Sequence, residues 1–229
     1  MTSAEHRSDV VDIANSLRQT SLDSSSHLER VSERWRGLEE RINIKLKQLA
    51  AFDRKSEERL IDQAAKVNTA NRRVYWLRRA ADMATNEASK HAACKKGCSH
   101  CCRISVVLSQ AEAQVIAKET GHPLNAKAGR FSADETTDID VAKAMVSAEQ
   151  FGKPFVFLRD EQCSIYEHRP LVCRWQINLD DDDLLCHLIP GEPPKVPYLD
   201  MAAHEYSAVM IMGPHQRYDD IRSWFAQVV

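Results

Sequence analysis

All eight prolines lie at or beyond Pro123, and Gly37 is the sole glycine before position 97. So long a stretch without the two strongest helix breakers, rich in Ala, Leu, Glu, Lys and Arg, reads as helix. The spacing agrees: Leu28, Val31, Trp35, Leu38 and Ile42 follow steps of three and four, as do Leu60, Ala64, Val67, Asn71, Val74, Leu77 and Ala81. The phase slips near "FDRKS", where Ser56 is a plausible helix start. Two long amphipathic helices are expected. They would pair as an antiparallel hairpin, or present a coiled-coil seam to a protein partner or a second copy. Four arginines around Tyr75 and Trp76 in "NRRVYWLRRAAD" read as a solvated basic helix face.

From Lys96 the texture changes. "RISVVLS" at 103–109 is β-branched and alternating, hence a short strand, and Ser109 with Glu112 makes a capping box for a helix that closes at Gly121. A polar loop over 121–139, a helix in "DVAKAMVSAEQ" and a second strand in "PFVFL" follow. Pro170 suits the first turn of a helix in "EHRPLVCRWQ". The run Asp180–Asp183 lacks the spaced acids of a calcium loop and reads as a solvated turn. "IPGEPPKVP" reads as an irregular linker, and the last thirty residues as two short helices. The expected fold is mainly α with a small β component: long N-terminal helices followed by a cysteine-rich, metal-binding α+β domain. The expected divisions are 1–87, 88–189 and 190–229.

Four of the seven cysteines fall within "CKKGCSHCC", residues 94–102. The first residues are charged without an apolar core, which excludes an ordinary secretory signal and predicts a cytoplasmic location. No apolar run is long enough for a bilayer, and a net charge of −2 gives no global pull toward nucleic acid. An odd cysteine count in a reducing compartment points to metal ligation or redox chemistry rather than a disulfide framework. Cys98-x2-Cys101 suits zinc, while Cys94-x3-Cys98-x2-Cys101 is a three-ligand spacing for a [4Fe–4S] cluster, so spacing alone leaves both open. Gly97 permits a tight turn that aims N–H groups at sulfur. Side chains of adjacent Cys101 and Cys102 diverge, so the two do not bind one ion alike. The same spacing occurs in radical S-adenosylmethionine enzymes, but the residues after Cys102 lack repeated strand–helix alternation.

The run "CKKGCSHCC", then "LSQAEAQVIA", then "FVFLRDEQCSIYEHRPLVCR" resembles the YkgJ-type cysteine-cluster proteins, whose CxxxCxxCC domain is described as zinc- or iron-chelating. The resemblance covers roughly 88–189. It is similar also to the cysteine motif of flagellin lysine methylases, which are associated with an iron–sulfur cluster. The resemblance implies a ligand set of Cys94, Cys98, Cys101, Cys102, Cys163 and Cys173, with Cys186 in the position of a further family cysteine. Phe155 stands where many members carry a cysteine, which opens the ligand count. Tyr166, Arg169 and Arg174 read as groups that orient or neutralise the cofactor's sulfur. Lys95, Lys96 and Arg103 also neighbour the thiols. His91, His100 and His187 lie near cysteines and are weighed as ligands or outer donors.

The resulting expectation is a protein holding an iron–sulfur cluster, [4Fe–4S] by preference, or zinc, and serving as a redox or protein-interaction module. The alternative is an iron–sulfur-dependent enzyme acting on a protein substrate by methyl transfer or thiol redox chemistry. Whether the chain is an enzyme stays open: there is no Gly-rich nucleotide loop and no nucleophile elbow. In a third reading, the metal only staples a helical scaffold.

Overall fold

The computed structural model describes residues 26–50, 54–135, 138–188 and 195–225. The opening segment and most of "IPGEPPKVP" lie outside them. Helices dominate: α1 (26–35), α2 (Leu38–Ala50), α3 (Lys55–Lys66), α4 (Ala70–Ser89), α5 (Gln110–Thr120), α6 (Ile139–Gln150), α7 (Leu171–Trp175), α8 (Ala202–Met212) and α9 (Ile221–Trp224). The strands are β1 (Val107–Ser109), β2 (Phe131–Ser132), β3 (Leu158–Arg159), β4 (Gln162–Cys163) and β5 (Arg217–Asp220). The chain is thus mainly helical with small sheets. Among the described residues, no helix is long and apolar enough to cross a membrane.

Four helices occupy the N-terminal half where two were expected. Gly37 takes a left-handed φ of 73° and ends the first apolar series between Trp35 and Leu38. The second series breaks after Lys66, where Val67 is extended (φ −85°, ψ 144°). A helical period runs on through residues 67–69, but folding α3 back on α4 buries Ala64 against Val74 and Leu77, which a straight rod would leave in water. α4 then touches α5, α7 and α8. The arginines of α4 are not simply solvated. Arg78 is buried and donates to Glu119 (2.8 Å) and the His168 carbonyl, while Arg79 lies over Tyr75 and Trp76.

The capping box forms as expected: the Glu112 N–H donates to Ser109 Oγ (3.2 Å), and Gly121 closes α5 at φ 73°. Glu112, itself buried, reaches further. Its Oε1 accepts from the Leu171 N–H at 2.9 Å, so the cap of α5 also fixes the start of α7, which carries Cys173. Pro170 is the N-cap of that helix.

β1, β5 and β2 form an antiparallel sheet with β5 in the middle, in register Val107↔Asp220 and Phe131↔Tyr218. Asp220 is fully buried and accepts from the Val106 N–H, the Ser105 hydroxyl and Arg222. Behind the sheet lies one core of Cys102, Val106, Leu108, Ile116, Phe157, Ile221 and Trp224. The strand expected over 154–158 is mostly turn. Only Leu158 pairs, in the β3–β4 hairpin that brings Cys163 forward.

Candidate metal centre

All seven cysteines are free thiols, and Cys102 is fully buried. They gather around Cys101 in two overlapping groups. Cys94, Cys98 and Cys186 act electrostatically on one another and with Cys101 on one side. Cys102, Cys163 and Cys173 join it on the other. The adjacent pair is unequal: Cys101 is shared by both groups, whereas Cys102 meets Cys101 and Cys163 and packs in the core.

Each turn is built to aim donors at sulfur. Gly97, at φ 95°, closes the turn in which the Cys98 N–H donates to the Lys95 carbonyl. The N–H groups of His100 and Ser99 then point at Cys98 sulfur. The Asn178 N–H donates to Cys94 Sγ and its side-chain amide to Cys186 Sγ, both at 3.2 Å. The Ile165 N–H serves Cys163. Such bonds favour thiolate and tune a bound metal.

Asn178 escaped sequence reasoning. It is fully buried, bridges Cys94 to Cys186, and also binds the Asp182 carbonyl and the Asp180 N–H. A polar residue set between apolar Ile177 and Leu179 was its one visible sign. Tyr198, opposite Asn178 in a β-bridge, is a second unforeseen neighbour. Burial, then the nearby Cys186, pushes its phenol upward.

The thiols are unequal. The Cys102 thiol donates toward Cys101 and Cys163, which drives its own ionisation far up and lowers both partners, Cys163 to about 7. Burial raises Cys94 and Cys98, and raises Cys173 strongly. Burial and the neighbouring Cys94 push Cys186 up to about 12.

Of the basic residues expected at the site, Arg169 acts on Cys94, Cys101, Cys163 and Cys173. Its guanidinium lies 4.2 Å from the Tyr166 ring centre, so the ring backs the cation that faces the thiols. Arg174 turns away. Buried, it pairs with Asp82 at 2.6 Å and donates to the carbonyls of Glu167 and Arg169, and so holds the loop that positions Arg169. Lys96 goes to Glu167 and Arg103 to Glu161. Phe155 packs in the core beside Cys102.

The acidic run is not a solvated turn. Asp180 is fully buried, and Arg34, Arg41 and Lys45 of the N-terminal segment engage Asp180, Asp181 and Asp182. Asp183 instead meets His100 (Nε2–Oδ2 3.0 Å) and His187 (3.9 Å). Among the described residues, the ligand-type group whose atoms all lie within 4.8 Å of one another is His100, Asp183 and His187 rather than any trio of thiols. His91 is exposed and outside it.

Residues 93–187, less than half of the chain, match the family model CxxCxxCC, described as "Putative zinc- or iron-chelating domain". No curated protein and no solved structure matches.

Proposed function

We propose that the chain holds an iron–sulfur cluster through four of its seven cysteines and works as a redox or protein-interaction module, a reading supported by the match of residues 93–187 to the CxxCxxCC family model. The observation that carries this reading is the two overlapping thiol groups that meet at Cys101. The Cys94-x3-Cys98-x2-Cys101 spacing can supply three thiolates to a [4Fe–4S] cluster, and Cys163, Cys173 and Cys186 stand around Cys101 as candidates for the fourth. Once bound, a cluster supplies one-electron chemistry. The chain supplies N–H donors to Cys94, Cys98 and Cys163, a lone facing cation among the basic residues weighed, Arg169, and an apolar wall behind Cys102.

Anaerobic purification with an absorption spectrum and metal analysis tests it. A brown protein with about four irons per chain is expected for one [4Fe–4S] cluster. A colourless, zinc-loaded protein overturns the iron–sulfur reading and leaves chelation. Cys98→Ser and Cys173→Ser, one from each thiol group, should both lose metal. Full metal content in either would break the ligand assignment.

A further inference from the structure

We propose that His100, Asp183 and His187 form a second metal site, distinct from the thiols, that takes a late first-row divalent ion such as Zn2+ with coordination positions left open. Nitrogen and oxygen donors from two imidazoles and one carboxylate are the set that borderline ions prefer, and three protein ligands leave room for exchangeable ones.

The spacing fits an ion. Metal–ligand bonds of about 2.0–2.2 Å set neighbouring ligand atoms roughly 3.0–3.5 Å apart. His100 Nε2 stands 3.0 Å from Asp183 Oδ2 and His187 Nε2 3.9 Å from the same oxygen, so a modest ring rotation closes the triad. The two imidazole centres are 4.4 Å apart. On the α1 side, His27 has its ring 5.7 Å from that of His187, and its Nε2 is buried without a hydrogen-bond partner. It adds an imidazole beside the triad, outside the group of atoms within 4.8 Å.

The backbone that carries the triad is already fixed for another reason. His100 begins the 3-10 turn His100–Arg103 between Cys98 and Cys101, and His187 directly follows the turn Leu184–Cys186. Sulfur faces inward from these turns. Asp183 and His187 are about half exposed, so an ion held there is open to exchange with solvent.

Full-length protein, purified anaerobically with its cysteine-bound metal and freed of loose ions by gel filtration, would be titrated with Zn2+ by calorimetry and with Co2+ by absorption. One further equivalent per chain should bind, and the cobalt spectrum should lack a sulfur-to-metal charge-transfer band. His187→Ala and Asp183→Asn should each weaken that binding by at least about 100-fold, beyond the 10–100-fold that losing an outer partner costs. Circular dichroism and cysteine-bound metal should stay as in the parent. Should Asp183→Asn fail to fold, His187→Ala, altered on a half-exposed side chain, still decides. No further equivalent, a thiolate charge-transfer band, or unchanged affinity in a folded variant overturns the proposal. The cysteine-bound metal is counted in the same samples, so a failure of the thiol site reads separately as a fall in that count.

Discussion

Cys102 sets the order in which its neighbours ionise, because a thiol that gives its proton to two sulfurs stabilises both as thiolates. In metal-stripped protein, Cys163 should therefore be alkylated by iodoacetamide ahead of Cys94, Cys98, Cys173 and Cys186, with a midpoint near pH 7. Arg169→Gln, which removes a cation facing Cys163, should move that midpoint upward. Peptide mass spectrometry across a pH series reads both. Equal labelling of all thiols at neutral pH would contradict the arrangement. The motif cysteines were legible in the sequence because ligand spacing is local. Asn178 was not, since its role depends on a bridge between Cys94 and Cys186 that only the fold creates.

Between elements, the acidic run and the N-terminal helices form a clamp. The Lys45 ammonium bonded to Asp181 holds that carboxyl below its usual range. The ionised form is the one favoured in the fold. Its contribution is thus complete above the ordinary aspartate value near pH 4, and is lost as pH falls through the lower folded value. Asp181 is half exposed, so the pair is worth no more than about 1 kcal/mol. Hydrogen exchange in α2 should quicken on acidification before that in α4, and Asp181→Asn should erase the pH dependence. Unchanged α2 protection at low pH would refute the clamp. Helix identity was readable here from apolar period and from missing proline. The turns at Gly37 and 67–69 were not, because burying Ala64 against Val74 is a tertiary gain that no local propensity announces. Nor did the sequence show that Asp180, Asp181 and Asp182 would find cations more than a hundred residues upstream, as Arg34–Asp182 requires.

For the whole molecule, the decisive strand is β5, "RYDD", whose charged sequence carries no strand signal. It sits between β1 and β2 and leads into α9, whose Ile221 and Trp224 enter the same core as Cys102. A chain truncated after Gly213 should lose its cysteine-bound metal while α3 and α4 keep their helical circular dichroism. Full metal content in that variant would show the thiol site to be independent of the sheet. β5 also fixes an order of events during synthesis. The nascent chain exposes all seven thiols before the strand that seats Val107 and Phe131 has left the ribosome. Until then the sulfurs have sequence but no closed frame, so stable metal loading should follow the pairing of β5 rather than precede it.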